Sequence, residues 1–267
     1  MSRLRGLLAL MMMLTLVVFA AACGGGGGGG EEGDSAGGGG DEASGTAQTA
    51  PSGTAKISGT VVFEGTAPTP RPLSMEADPK CQEMHETPPM NEMLMLGEGK
   101  TLANAIVRVT GGLPEGSHAT PSDPVIIDQK GCKYVPRVVG LMANQTLRFH
   151  NSDGILHNVH ALPNVNREFN VPMPASVTET DKTFSRPEAP FEVKCDVHPW
   201  MKAWVQVFEH PYFAVTGADG SYEIAGLPAG TYTVELWHEV FGTQSQEVTV
   251  TDGGTATADF TTKPPQR

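Results

Sequence analysis

The sequence predicts an all-β protein built from two β-sandwiches. From residue 56 onward, short stretches of alternating apolar and polar residues are separated by clusters of Gly, Pro, Asn and Asp, which is the pattern of strands joined by turns. Within this part of the sequence, nothing has the spacing of a long amphipathic helix. About 210 residues with this many strands exceed what one small sandwich needs, so we expect two.

The clearest strand patterns fall in a set of short segments. These are residues 57–64, 105–110, 124–128, 145–151, 191–195, 203–208, 221–224, 231–237, 247–251 and 255–261. Alternation is cleanest at Phe191, Val193 and Cys195, which share one face because side chains alternate along a strand. Cys195 is therefore expected to point into a sandwich at the end of its strand.

The N-terminal region is expected to lie outside the folded part. Residues 1–22 begin with basic residues, continue with an apolar run from Leu7 to Phe19 and end in small residues, which indicates a secretory signal peptide. The small residues before Cys23 resemble the lipobox of bacterial lipoproteins, and that resemblance implies lipidation of Cys23. An ordinary signal peptide is the alternative.

Residues 23–55 are rich in Gly, Ser and acidic residues, which predicts a flexible linker. No later apolar run reaches the roughly 18 residues of a membrane helix, so membrane attachment is expected through lipid only. Gly24 rather than Asp follows Cys23, and by resemblance to Gram-negative lipoproteins this favours the outer membrane, on its periplasmic or surface side. Without lipidation, the protein is expected to be periplasmic or extracellular.

The charge and the motifs exclude several classes of function. The formal net charge is −12, which argues against nucleic acid as a partner because phosphate binding needs a basic surface. The sequence has no recognisable Ser/His/Asp arrangement and no Cys-x-x-Cys-His haem attachment motif. Its glycine runs lack the flanking strand and helix of a nucleotide site. We therefore expect a protein that is not an enzyme.

A short motif in the second half of the sequence supplies candidate metal ligands. Cys195, His198 and Met201 follow one another with the spacing Cys-x-x-His-x-x-Met, and Leu-His-Asn-Val-His upstream offers His157 as a second imidazole. One thiolate, two imidazoles and a weak axial thioether form the ligand set of a blue-copper electron-transfer site. His160 competes with His157 for the role of second imidazole, and its position on the same strand does not exclude it.

Residues 145–160 and 191–207 resemble the cupredoxin family of amicyanin- and plastocyanin-like proteins. The shared features are Phe-x-Asn before the first histidine, then His157-Asn158-Val159, then the Cys-x-x-His-x-x-Met loop. The resemblance implies a Greek-key copper domain, placed at residues 121–208. It also implies one copper ion bound by His157 in preference to His160, together with Cys195, His198 and Met201. Finally, it gives Asn151 the role of bracing the ligand loop through hydrogen bonds.

Cysteine usage leaves one pair unassigned. If Cys23 carries lipid and Cys195 binds metal, Cys81 and Cys132 remain, and in an oxidising compartment two such cysteines are expected to pair. The alternative places Cys195 in a disulfide and leaves one other thiol free.

Residues 216–234 resemble the carboxypeptidase regulatory-like domain, a smaller transthyretin-like sandwich of the immunoglobulin type. The turns Asp219-Gly220 and Pro228-Ala229-Gly230 carry this resemblance. The strands that open such a domain are matched by residues 57–65 and 103–109, which precede the copper segment. This predicts a split domain, residues 56–120 and 209–267, with the copper domain inserted between its halves. Two domains in tandem are the alternative.

These features predict an exported mononuclear blue-copper protein that transfers single electrons between redox proteins, such as a cytochrome or a dehydrogenase. A copper storage or delivery lipoprotein is one alternative, because soft thioethers suit Cu(I). Several methionines surround Cys81 and His85, namely Met75, Met84, Met90, Met93 and Met95. A structural or carbohydrate-binding surface module, with a metal that only stabilises the fold, is another alternative.

Overall fold

The computed structural model describes residues 49–50 and 52–264. The predicted signal peptide, the lipidation site Cys23 and most of the predicted linker lie outside these residues. Among the described residues, no helix is long and apolar enough to cross a membrane.

The described residues are almost entirely strands and connections, which confirms the all-β class. The helical parts are α1 (Pro79–Glu83) and a 3₁₀ turn (Glu98–Lys100). The strands are β1 (Ala55–Phe63), β2 (Ile106–Gly111), β3 (Val125–Gln129), β4 (Tyr134–Val135), β5 (Val138–Met142), β6 (Thr146–Asn151), β7 (His157–Ala161), β8 (Phe169–Met173), β9 (Glu179–Thr183), β10 (Glu188–Lys194), β11 (Lys202–Phe208), β12 (Phe213–Val215), β13 (Ser221–Leu227), β14 (Gly230–His238), β15 (Gly242–Val250), β16 (Thr255–Thr257) and β17 (Phe260–Thr262).

The first sandwich joins the two ends of the described chain. One sheet has the order β13-β1-β16, with β17 also paired to β1, and the other has the order β12-β2-β14-β15. Strand β1 pairs antiparallel with β13 and parallel with β16 and β17. The inward-facing residues of both sheets form one apolar core that includes Ile57, Val107 and Val234.

The second sandwich is formed by the strands between β2 and β12. Its sheets have the orders β5-β11-β10-β7-β8 and β4-β3-β6-β9. Within them β5 runs parallel to β11 and β3 runs parallel to β6, while the other pairs are antiparallel. Its separate core includes Phe149, Phe191 and Val205. The strands of the second sandwich thus lie in the sequence between strands of the first, and the predicted domain division stays a prediction.

The two sandwiches share a small apolar contact and a buried ion pair. Ile106 of the first sandwich packs with Val138 and Phe208 of the second. Beside this contact, Arg137 donates two hydrogen bonds to the Glu239 carboxylate, at 2.6 and 2.9 Å. Both side chains are 7% exposed. A charge pair this well excluded from water has to stay paired, so it fixes one sandwich against the other.

Residues 72–100, called the strap below, belong to the β1–β2 connection; their first part attaches to the second sandwich, while Leu94 and Leu96 pack against the core of the first. The strap contains α1, and a disulfide joins Cys81 in α1 to Cys132. The His85 ring contacts the Gly131 carbonyl at 2.8 Å. Lys133 donates to Glu92 at 2.6 Å. The strap is therefore held against the end of the second sandwich, near residues 130–133.

All the segments with a predicted strand pattern overlap strands of the structure. The missed strands include β7, β8 and β9. Strand β9 consists of polar residues that are partly or fully exposed at the edge of its sheet, so it has no apolar alternation to detect. Strand β7 is largely buried but contains two histidines, and its polar composition explains why it was missed. Its position is determined by pairing with the neighbouring strands β8 and β10.

Candidate metal centre

Cys195, the free cysteine among the described residues, lies directly after β10 and is buried. It opens the connection from β10 to β11, called the ligand loop below (residues 195–201). Two backbone hydrogen bonds close this loop, from Cys195 N–H to the Met201 carbonyl at 3.2 Å and from Met201 N–H to the His198 carbonyl at 2.9 Å. The loop thus places the thiol of Cys195 and the ring of His198 on the same side.

His157, the first residue of β7, meets the ligand loop inside the sandwich. Its Nδ1 lies 2.9 Å from Nδ1 of His198, and His198 Nδ1 lies 3.7 Å from Cys195 Sγ. Ligand atoms of the three residues all lie within 4.8 Å of one another. The rings of His157 and His198 are 0% and 1% exposed, so the site is closed to bulk water.

The outer nitrogens of both rings are held by carboxylates. His157 Nε2 lies 2.9 Å from Asp153 Oδ2, and His198 Nε2 lies 3.1 Å from Asp78 Oδ2. A carboxylate accepts hydrogen bonds, so each ring presents its Nε2–H there and its Nδ1 faces the other ring. Two Nδ1 atoms 2.9 Å apart need a proton between them, and a metal ion bound here would replace that proton.

The pKa values of the three groups are coupled. Burial raises the pKa of the Cys195 thiol, but the adjacent His157 and His198 rings outweigh it and lower that pKa to about 6. Burial lowers the pKa of His157, but Asp153 and the Cys195 sulfur outweigh it and raise that pKa to about 9. The two rings therefore favour the thiolate form of Cys195, which is the form of sulfur that binds metals.

Asn158 braces the ligand loop. Its Oδ1 accepts hydrogen bonds from the backbone N–H of Asp196 at 2.7 Å and of Val197 at 3.3 Å. The Cys195 thiol lies 3.3 Å from the same oxygen. Asn158 follows His157 directly, so one strand supplies both a ring and the support of the loop opposite. This role was missed from the sequence, although the His-Asn-Val pattern contained the residue.

The role expected for Asn151 is not the one that the structure shows. Asn151 Nδ2 donates to the carbonyls of Ile155 and Met173, each at 2.9 Å. These bonds shape the turn that leads into His157 rather than residues of the ligand loop. Asn151 does not contact the ligand loop because it ends β6, which belongs to the sheet opposite the one that carries Cys195 and His157.

His160 lies away from the site. It is three residues beyond His157, and an odd spacing along a strand turns the two side chains to opposite faces. Its ring instead contacts Asp196 at 2.9 Å and Glu168 at 2.9 Å, in a partly exposed position. The structure thus brings His157, and not His160, to Cys195 and His198.

Met201 and Trp200 complete the surroundings of the ligand loop. Met201 is 1% exposed and belongs to the core of the second sandwich. The Trp200 ring lies 5.2 Å from the His198 ring, measured between centroids, and its Nε1 donates to the Cys132 carbonyl at 3.0 Å. Trp200 therefore ties the ligand loop to the residues that carry the strap.

His198 is placed to share one metal ion with His157 and with Cys195, while the His157 and Cys195 ligand atoms lie within 4.8 Å of each other. Bonds of about 2.0 Å to nitrogen and about 2.3 Å to sulfur are usual for such ligands. The separations in the site, 2.9 Å between the nitrogens and 3.7 Å between nitrogen and sulfur, are each shorter than two such bonds end to end. Two other groups of donors involve Cys81 or Cys132, whose sulfurs are occupied by the disulfide.

Comparison with known proteins identifies one domain. The carboxypeptidase regulatory-like domain matches residues 198–263. The matched stretch contains strands β12 to β17 of the first sandwich and also β11, which pairs with β10 and β5 of the second. No curated protein matches the chain.

Several solved structures match part of the chain at low identity. A Cu-containing nitrite reductase from Thermus scotoductus is 22% identical over 38% of this chain and 26% of its own, with a TM-score of 0.31. This chain thus spans about a quarter of that protein's length. A purple cupredoxin from Nitrosopumilus maritimus is 20% identical over 32% of this chain and 99% of its own, with a TM-score of 0.27.

A point mutant of amicyanin in its oxidized state is 22% identical over 32% of this chain and 82% of its own, with a TM-score of 0.29. All these TM-scores are too low to establish a shared fold. The proposals below are therefore based on the positions of the Cys195, His157 and His198 side chains.

Proposed function

We propose that this protein is an exported mononuclear blue-copper protein that carries single electrons between redox partners. The observation that carries this proposal is a free, buried cysteine with the Nδ1 atoms of two buried histidines beside it. Copper, when bound, would supply a one-electron couple that suits this mixed thiolate and imidazole ligand set. His157, Cys195 and His198 would hold it, with Met201 as the weak thioether ligand.

The chain's own residues favour electron transfer because they limit movement. Asn158 holds the ligand loop from one side, and the backbone bonds between Cys195 and Met201 close it from within. Each histidine ring is held at Nε2 by a carboxylate. A rigid, water-excluded donor set changes little between two oxidation states, so little energy is needed for reorganisation when an electron moves.

The same proposal includes export and lipid attachment through Cys23, with a redox protein such as a cytochrome or a dehydrogenase as partner. This part depends on the sequence pattern of residues 1–23 and on the need of a one-electron carrier for a donor and an acceptor. Mass spectrometry of the membrane fraction tests it, because a diacylated N-terminal cysteine adds a defined mass that a Cys23→Ser variant lacks.

The test of copper binding is a visible and EPR spectrum of the purified, copper-loaded protein. We expect an intense thiolate-to-copper absorption band and a narrow copper hyperfine splitting, both lost in Cys195→Ser. Met201→Leu is expected to change the band position and the reduction potential, because the axial ligand tunes both. Met93→Leu, at an exposed methionine of the strap, is the control and is expected to match the wild type. A colourless complex with an ordinary tetragonal Cu(II) signal contradicts the proposal.

A second candidate function is copper storage or delivery, and one observation favours it. Met84, Met90, Met93 and Met95 of the strap are 38 to 53% exposed, which is unusual for methionine. Titration with Cu(I) distinguishes the two functions. More than one Cu(I) per chain, with the extra copper lost when these methionines are replaced by leucine, supports storage. A one-to-one stoichiometry in both proteins contradicts it.

A further inference from the structure

Each histidine of the site is held from outside by a carboxylate that is itself held in place. Asp153 Oδ2 contacts His157 Nε2, and the two Asp153 oxygens accept the backbone N–H groups of Gly131 at 2.6 Å and Cys132 at 2.8 Å. Asp153 is 4% exposed at its side chain. Its carboxylate therefore has no freedom to turn away from the ring.

Asp78 contacts the other histidine, and its side chain is more exposed, at 30%. Its Oδ2 contacts His198 Nε2, while its Oδ1 accepts the backbone N–H of Lys80 at 2.9 Å and so caps α1. An aspartate at an N-cap is strongly preferred in this orientation. Asp78 lies in the strap, 120 residues before His198 in the sequence. It therefore comes from the connection between strands of the other sandwich.

The disulfide joins the two carboxylates. Cys81 lies in α1, the helix that Asp78 caps, and Cys132 donates its backbone N–H to Asp153. Sulfur atoms of Cys81 and Cys132 lie within 4.8 Å of a ring nitrogen of His198, and Cys132 Sγ lies within 4.8 Å of ligand atoms of Asp153 and His157. One covalent bond thus connects the supports of both rings.

From this geometry we propose that Asp78 and Asp153 are positioning residues that aim both imidazoles at the metal, and that the Cys81–Cys132 disulfide keeps Asp78 in place. The inference rests on the proposed copper function and extends it to the strap, which the ligand motif does not include. The partners of a ligand's second nitrogen fix its tautomer and orientation and increase its basicity. Their negative charge also favours Cu(II) over Cu(I).

The experiment compares Asp78→Ala and Asp78→Asn with Glu76→Gln, which removes the same charge from an exposed residue of the same strap. We expect Asp78→Ala to lower Cu(II) affinity roughly 10- to 100-fold, measured by competition with a chelator. The reduction potential should rise. Asp78→Asn keeps an oxygen that can accept the N–H, so its affinity should lie between those of Asp78→Ala and the wild type. Equal affinities and potentials for Asp78→Ala and Glu76→Gln would overturn the proposal.

A second comparison tests the disulfide. Replacing Cys81 and Cys132 by serine in the wild type is expected to lower Cu(II) affinity in the same direction as Asp78→Ala. In the Asp78→Ala background the same replacement should have little further effect, because both changes then act through one contact. A full additional loss of affinity in that background would show that the disulfide acts without Asp78, and would contradict this part of the proposal. All variants are compared below the temperature at which circular dichroism shows the onset of unfolding.

A copper-free measurement separates this inference from the proposed function. In proton NMR of the metal-free protein, the hydrogen-bonded Nε2–H groups of His157 and His198 should give slowly exchanging downfield resonances. Asp78→Ala should lose the His198 resonance and keep the His157 resonance, while Glu76→Gln keeps both. Unchanged resonances in Asp78→Ala would overturn the inference. If instead the wild type lacks the thiolate-to-copper band, the proposed function is wrong. The NMR measurement still tests the hydrogen bonds from His157 and His198 to the two aspartates.

Discussion

The side-chain oxygen of Asn158 lies 3.3 Å from the sulfur of Cys195, and the same oxygen accepts two backbone N–H groups of the ligand loop. One amide of β7 thereby holds the start of a loop that belongs to β10 and β11. The geometry of the site depends on this contact between neighbouring strands as well as on the donors themselves.

Asn158→Ala should therefore loosen the ligand loop. It removes the acceptor of the Asp196 and Val197 backbone N–H groups, and each lost hydrogen bond contributes about 0.5–1.5 kcal/mol. We expect weaker copper binding by roughly 10- to 100-fold and a shifted thiolate-to-copper band. Asn164→Ala, at an exposed residue of the connection after β7, is the control. A spectrum and affinity equal to those of the control would show that the loop holds its shape without Asn158.

The buried pair Arg137–Glu239 should behave differently when one or both members are replaced. Glu239→Gln leaves the Arg137 charge buried without its partner, and we expect a loss of about 3–5 kcal/mol in the free energy of unfolding. Replacing the pair with Arg137→Met and Glu239→Leu together should cost less, because no unpaired charge remains. Urea unfolding of the metal-free protein measures both.

The exposed pair Lys56–Glu223 provides the control for this experiment, since both of its side chains are about half exposed, at 45 and 52%. Glu223→Gln should change stability by at most about 1 kcal/mol. A double variant at Arg137 and Glu239 that is less stable than Glu239→Gln would contradict the expected order.

The disulfide between Cys81 and Cys132 should stabilise the fold as well as the site. It closes a loop with a sequence separation of 51, and removal of such a bond costs about 2–4 kcal/mol in the chain-entropy view. We expect this loss for the variant with both cysteines replaced by serine, measured by thermal unfolding without metal. Cys195→Ser, at the free cysteine, should lower the melting temperature less, and the reverse order would refute the expectation.

His238 should make the stability of the metal-free protein depend on pH. Burial lowers its pKa from 6.5 to about 4, outweighing the attraction of Glu239. The ring is 1% exposed, and its Nδ1 accepts the Val240 N–H, which fixes the neutral form. Because the unfolded chain binds the proton more tightly, this contribution is complete above pH 6.5 and is lost as the pH falls toward 4. The loss should reach about 2 kcal/mol at about pH 5.

Urea unfolding at about pH 7.5 and about pH 5 checks this expectation. His238→Gln should lose less stability between the two values than the wild type does. His118→Gln, which removes a partly exposed histidine elsewhere, should keep the dependence of the wild type. An identical pH dependence in His238→Gln and the wild type would show that other groups are responsible.

The sequence was most informative where the signal is local. Alternation predicted the strands around Phe191 and Val193, and the three-residue spacing of Cys195, His198 and Met201 identified the ligand loop. Strand β9 was missed because its polar, exposed residues give no alternation, and its place comes from pairing with β6. The residue spacing alone was interpreted as allowing both His157 and His160, and only the family resemblance favoured His157; strand geometry places the two side chains on opposite faces.

By itself, then, the sequence determined the all-β class and indicated the candidate donors of one short loop, because a strand's pattern of faces and a loop's spacing are properties of neighbouring residues. Only the tertiary structure brought Asp78 to His198, Asp153 to His157 and Asn158 to the loop of Cys195. These contacts join residues that strand pairing and a disulfide bring together. Their physical cause is the cost of leaving buried ring nitrogens and backbone amides without partners, which no local pattern records.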